Sequence, residues 1–152
     1  MSRIGRAFSR AAREGRAALV VFVEAGDPAL ETTERLLPAL AAAGADVIEL
    51  GVPFSDPIAD GPAIQRASER GLAAGARLAA VLDLVARTRD AGFDAPVVLF
   101  GYANPVLSMG ETAFASRAAA AGVDGALVTD LPPEEGAAFA ATLKAVRLDP
   151  VF

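Results

Sequence analysis

The residues best able to do chemistry gather in one stretch, Ile48-Glu49-Leu50-Gly51-Val52-Pro53-Phe54-Ser55-Asp56-Pro57-Ile58-Ala59-Asp60-Gly61. Glu49 sits between Ile48 and Leu50 near the end of an apolar run. Strand alternation turns it away from those neighbours, either into a barrel or towards helices. A carboxylate there is desolvated, which raises its pKa towards the range that a proton donor at neutral pH needs. The competing readings are a structural ion pair and a solvated Glu just beyond the strand. Asp60 precedes Gly61-Pro62 and reads either as a second functional acid or as an ordinary helix cap. Asp56 before Pro57 and the pair Asn104-Pro105 read more simply as turn residues. Tyr102 follows a later apolar run and either lines a pocket or packs. Phe22 is core unless its strand belongs to a barrel. Asp130 is a turn acid or a brace at the same mouth.

Composition narrows the chemistry. The 152 residues contain no His and no Cys. This excludes disulfides, thiolate nucleophiles, Ser-His triads and His or Cys metal sites, and no metal is expected. Acid–base work falls to Asp, Glu, Tyr102 or the one lysine, Lys144, as the side chains left to carry protons. The net charge is -5 and the basic residues look scattered, which gives no footprint for nucleic acid. Apolar runs fall short of the roughly 18 residues of a membrane span. The expectation is a single soluble domain over 1–152, cytoplasmic. Arg3, Arg6, Arg10 and Arg13 all precede the first acid, Glu14, which faintly suggests a transit segment. Ile4, Phe8, Ala11 and Ala12 on one face favour an amphipathic helix instead.

Apolar runs alternate with helical patterns along the chain. Strands are expected at 17–23, 47–50, 96–100 and 125–129, with a fifth beginning at 149. Helices are expected at about 63–74, 78–90, 111–121 and 134–146, and around Leu30 to Ala41 with Asp27 as cap and Pro28 in its first turn. Ala-Gly-x-Asp recurs at Ala43 to Asp46, Ala91 to Asp94 and Ala121 to Asp124, each time between a helix and a strand. Gly there suits a left-handed cap, and Asp suits the short turn. Strand–helix alternation of this kind predicts a parallel α/β sheet, open or closed as a barrel, with the ligand at the strands' C-terminal ends. Neither G-x-G-x-x-G nor G-x-x-x-x-G-K occurs, so dinucleotide and P-loop readings have no support.

Ile48 to Gly61 resembles the motif of the tryptophan synthase α subunit family. Gly26-Asp27-Pro28, Ala43 to Asp46, Pro62 to Gln65, Gly101-Tyr102-Ala103-Asn104-Pro105, and Gly122-Val123-Asp124 through Asp130-Leu131-Pro132 agree with it in order and spacing. The resemblance implies a (β/α)8 TIM barrel with an extra N-terminal helix and an extra helix after the second strand. About strands 1–5 are expected here, an incomplete barrel lacking the phosphate-binding loops. It implies retro-aldol cleavage of indole-3-glycerol phosphate to indole and glyceraldehyde 3-phosphate, with no cofactor. Glu49 matches the general acid–base, and Asp60 the carboxylate facing the indole N–H. Phe22 and Tyr102 match pocket-lining positions. Pro53, Phe54, Asp56 and Asn104 match the region that meets the β subunit of an α2β2 complex, and pyridoxal phosphate belongs to that partner. Glu24 departs from the family, which usually has a small or neutral residue there. The alternative expectation is an inactive partial barrel that acts through self-association or partner binding.

Overall fold

A computed structural model describes residues 1–152. Five parallel strands form one sheet in the order β1-β2-β3-β4-β5: β1 Val20–Glu24, β2 Val47–Gly51, β3 Val97–Gly101, β4 Gly125–Val128 and β5 Asp149–Val151. The connecting helices are α2 Leu30–Ala42, α3 Pro62–Ala73, α4 Leu78–Asp90, α5 Ala103–Met109, α6 Glu111–Ala121 and α7 Ala137–Ala145. An additional helix, α1 Arg3–Arg13, precedes β1 and is capped by the Ser2 side chain, which accepts from Gly5 N. No helix is long and apolar enough to cross a membrane.

Period-two alternation divides each strand between two environments. Ile48, Leu50, Val97, Leu99 and Ala126 face the helices and join the main core with Leu37, Val81, Leu82, Val85, Phe114 and Leu143. The opposite face carries Val47 and Val98, packed with Ala7, Ile4, Leu127 and Val151. Helix α1 therefore closes the N-terminal end of the inner face. It does so through Ile4, Ala7 and Ala11, while Phe8, expected on the same face, is half exposed. The first strand also departs from expectation. It is only partly buried because β2 is its one strand partner, so it is an edge rather than a strand covered on both sides.

The repeated aspartates do more than shape local turns. Asp46 accepts from Arg16 Nη1 at 2.6 Å, Arg16 Nη2 at 2.9 Å, Arg10 Nη2 at 2.9 Å and Leu19 N at 2.9 Å. These contacts hold its carboxyl well below the usual carboxylate range, Arg16 most of all. Asp124 accepts from Arg89 Nη2 at 2.8 Å, Arg3 Nη1 at 3.1 Å and Val97 N at 2.9 Å. Asp94 accepts from Arg3 Nε at 2.7 Å. Arginines that look scattered in the sequence thus bind α1 and α4 to the N-terminal ends of the strands. Each repeat aspartate reaches across the fold instead of serving its own turn.

Two local readings are corrected. Helix α2 starts at Leu30 with Ala29 as its cap residue, and the Asp27-Pro28 bond before it is cis. Asp27 is not a cap; its carboxylate takes a bidentate grip from Arg70 at 2.7 and 2.8 Å. Asn104-Pro105 is not a turn but the first turn of α5, a helix absent from the sequence reading. Proline is tolerated there because the first-turn N–H groups have no intrahelical acceptor.

The two classes of aspartate should separate in urea denaturation. Arg89 is almost fully buried beside Asp124. Asp124→Ala leaves that guanidinium without its carboxylate and should cost about 3–5 kcal/mol. Asp94 is largely exposed, and the same change there should cost no more than about 1 kcal/mol. Arg147 at φ 66 follows α7 at the place where Gly122, φ 82, follows α6. Arg147→Gly should therefore stabilise the chain by roughly 1 kcal/mol in the same assay.

Candidate active site

Strand register assembles the site. Partners across a parallel pair lie in one row on one face. Phe22 of β1 is in register with Glu49 of β2, and Glu49 with Val98 of β3. One row nearer the strand ends, Glu24 is in register with Gly51, and Gly51 with Phe100. The inner face thus carries Phe22, Glu49 and Phe100 together with Glu24, at the end from which the loops to α2 and α3 depart. Phe22 and Phe100 meet edge to face at 5.2 Å between ring centroids.

Glu49 points inward, as alternation requires, and is half-buried between Ile48 and Leu50, which are fully buried on the other face. None of the chain's ion pairs includes it. No cation of this chain therefore pairs with Glu49, and it is less enclosed than the sequence suggested.

Asp60 is not the helix cap that its position before Gly61-Pro62 suggested. Gly61 is the cap residue of α3 and makes no side-chain cap bond. The Asp60 carboxylate is instead held by Tyr102, whose hydroxyl donates to Oδ2 at 3.0 Å. The same hydroxyl accepts from Ala59 N at 3.0 Å. Tyr102 is buried, and burial raises its pKa; the carboxylate adds to the effect, so the phenol keeps the proton it donates. Phe54 lies against the Tyr102 ring at 5.4 Å. Tyr102 thereby ties the loop after β2 to the end of β3. Asp130 also braces this end, accepting from Ala103 N at 2.7 Å at the start of α5.

The residues matched to a partner-facing region divide in two. Pro53 is buried against Gly71 of α3, and Phe54 is half-buried on Tyr102. Asp56 and Asn104 are exposed, accompanied by Ile58 at 82 % and Leu107 at 60 %. A small apolar cavity lies nearby among Val52, Leu99, Tyr102, Val106 and Phe114. No ionisable group besides Tyr102 lines it, so it is not where the acids converge.

Glu24 is the member that sequence reasoning left unresolved. Its Oε1 accepts from Ser68 Oγ of α3 at 2.7 Å. Its other oxygen fills the space beside Gly51, where an added Cβ would collide with Oε2 and lie 2.8 Å from the Phe22 ring. Desolvation pushes the Glu24 pKa up to about 7, the Ser68 bond opposes this, and the charges of Asp60 and Asp27 add to the rise. The signal was present in the sequence as an acid at the end of an apolar run. Its partner was invisible, because Ser68 lies 44 residues away.

Fold and site together define part of a (β/α)8 barrel whose strand ends carry partly buried carboxylates without cations beside two aromatics packed edge to face. The family model for the tryptophan synthase alpha chain matches residues 8–152, and the chain belongs to that family. The tryptophan synthase alpha chain of Dechloromonas aromatica is 60 % identical over 152 residues, all of this chain and 57 % of the relative. The crystal structure of tryptophan synthase subunit alpha from Legionella pneumophila superposes with a TM-score of 0.95 at 41 % identity, covering 99 % of this chain and 57 % of that one. A ligand-free tryptophan synthase structure from M. tuberculosis gives a TM-score of 0.92 at 39 % identity, over all of this chain and 61 % of the other. The chain therefore spans rather more than half the length of these relatives.

The Glu24 environment has a measurable consequence. The unfolded chain loses the Glu24 proton near 4.5, and the folded chain keeps it to about 7. Over that window the folded state binds more protons, so stability falls as pH rises, by up to about 3 kcal/mol in total. Below 4.5 both states are neutral at this site and the cost vanishes. Urea midpoints taken across that window and up to about pH 8 should show this decline, and Glu24→Gln should remove it.

Proposed function

We propose that this chain supplies the acid–base half of a tryptophan synthase α active site. In the complete barrel that site cleaves indole-3-glycerol phosphate to indole and glyceraldehyde 3-phosphate in tryptophan biosynthesis, as a lyase. The observation that carries the reading is two carboxylates at one mouth held in different ways. Glu49 faces the interior with no cation to fix its charge, while Asp60 is oriented through one oxygen by the Tyr102 hydroxyl.

That difference suits a retro-aldol reaction. Glu49 as a carboxylic acid delivers its proton to C3 of the indole ring, and positive charge develops at the ring nitrogen. Asp60 Oδ2 is occupied by Tyr102, so Oδ1 is free to accept the indole N–H and stabilise that charge, an oriented electrostatic contact of the kind that lowers barriers most. The Glu49 carboxylate left by that transfer accepts the proton of a hydroxyl on the glycerol chain, which becomes the aldehyde, and Glu49 is returned to its acid form. The electrons of the breaking C–C bond return to the ring and restore neutral indole. Phe22 walls the ring's site together with Phe100. Tyr102 acts chiefly by positioning Asp60. The chain itself needs no cofactor in this scheme; the pyridoxal phosphate step belongs to the β subunit. The β subunit of an α2β2 complex would meet the exposed side of the loop after β2 and of α5, at Asp56, Ile58, Asn104 and Leu107. The reaction's place is the cytoplasm.

One observation favours a second reading, an inactive partial barrel that self-associates. The free edge of β1 carries Val20, preceded by Leu19, and both are exposed. Unpaired strand edges recruit further strands. Indole release separates the two readings. Turnover by the isolated chain refutes the inactive reading, and sedimentation as a compact monomer at micromolar concentration refutes the self-associating one. Where turnover is seen, Glu49→Gln should lower kcat by about 10²–10⁴ through loss of proton transfer. Asp60→Asn should lower it by about 10²–10³ through loss of charge. A Glu49→Gln variant retaining most of its activity would remove Glu49 from the catalytic role.

A further inference from the structure

The three inward acids at the mouth are not equivalent, and the proposed reaction uses only two of them. Glu24 is the third. Its carboxyl occupies a built seat made of the open side of Gly51, the edge of the Phe22 ring and the hydroxyl of buried Ser68. The seat spans two elements that the chain connects through the Asp60 loop. Gly51 ends β2, Ser68 lies in α3, and residues 52–61 run between them. Helix α3 is pressed close on β1 here, since a Cβ on Gly71 would lie 2.6 Å from the Ala25 carbonyl and 2.8 Å from Pro53.

We propose that Glu24 is a positioning residue for Asp60, one whose charge state sets the electrostatic field in which Asp60 meets the ring nitrogen. This rests on the lyase reading for its consequence in catalysis, but not for its physical basis.

The surrounding charges decide the direction. From the loop after β2 comes Asp60, and from the loop after β1 comes Asp27, whose charge is largely taken up by Arg70 of α3. From β2 comes Glu49, one row deeper on the same face. Of the two arginines on α3, Arg70 is already committed to Asp27 and Arg66 is exposed to solvent, so the acids are what act on Glu24. Its burial and the Asp60 charge both keep it neutral until about pH 7. Below that pH, Asp60 faces the ring with an uncharged neighbour. Above it, a second negative charge stands beside Asp60 in a partly desolvated mouth. A transition state with positive charge on the ring nitrogen is then stabilised further. The rise should appear in kcat, because the charge acts where positive charge develops and not on the neutral ring of the bound substrate.

Carboxyl-carbon NMR on the isolated chain tests the physical basis directly. One glutamate, absent from Glu24→Gln, should titrate near pH 7. Asp60→Asn should move its midpoint down, and Ser68→Ala should move it up. A Glu24 signal that titrates with the ordinary glutamates, or a midpoint unmoved by Asp60→Asn, overturns the proposal. Indole release supplies the second arm. Between about pH 6 and 8 the parent chain should gain roughly threefold to tenfold in kcat. Glu24→Gln, which can still accept from Ser68, should be flat. A purely structural Glu24 predicts identical profiles for parent and Glu24→Gln, and that result also overturns the proposal. If the isolated chain releases no indole at any pH, the inactive reading of this chain holds, and the NMR titration alone decides Glu24.

Discussion

The interaction on which the most depends is the burial of the Asp46 carboxylate, 1 % exposed, at the N-terminal end of β2. It binds two arginines from the α1 region and the backbone N–H of Leu19 at the start of β1. One acid therefore fixes both α1 against the inner face and β1 against β2. Because a parallel ladder advances in single residues, this contact helps set which residues share a row. A slip by one would turn Glu49 towards the helices and Ile48 inward. The aspartate that does no chemistry thus helps decide where the chemical acid points.

Apart from Asp27, which Arg70 holds, the two ends of the sheet treat carboxylates in opposite ways. At the N-terminal end Asp46, Asp94 and Asp124 each have an arginine in direct contact. At the C-terminal end Glu24, Glu49 and Asp60 have no cation; hydroxyls of Ser68 and Tyr102 take that place for two of them. A hydroxyl orients a carboxylate without fixing its charge as firmly as a guanidinium does. Such an arrangement contributes less to stability, but it leaves the acid free to gain or lose a proton or to pair with a charge that appears only during a reaction.

Much of this was legible from residue order. The apolar runs placed the strands, the helical spacings placed the helices other than α5, and alternation turned Glu49 away from Ile48 and Leu50 without deciding which face was the inner one. Physical reasoning failed where local and distant partners compete. Asp27 has the sequence of a cap, yet Arg70, 43 residues on, takes its carboxylate. Asp60 likewise sits where a cap belongs, but the Tyr102 hydroxyl, 42 residues away, is the better-placed donor. Asn104-Pro105 reads as a turn because both residues are common in turns. Helix α5 tolerates them because Pro105 falls in its first turn, and Asp130 from the next strand's end accepts the Ala103 N–H. The arginines of α1 looked unplaced for the same reason: their partners lie up to 121 residues away.

Gly51 shows how one missing side chain connects these levels. In a strand interior, glycine forfeits packing and backbone entropy. Here its bare Cα opens a slot in the mouth row that admits the Glu24 carboxylate and the edge of Phe22 together. Any Cβ would force Glu24 either into the centre of the mouth or away from Ser68. In the centre it would regain water and approach an ordinary carboxylate's acidity; away from Ser68 it would loosen the hold on α3 and on the loop bearing Asp60. The weak spot in β2 is thus what allows a third acid to be buried beside two others without a cation. The electrostatics of the mouth follow from a vacancy in the sheet as much as from the acids themselves.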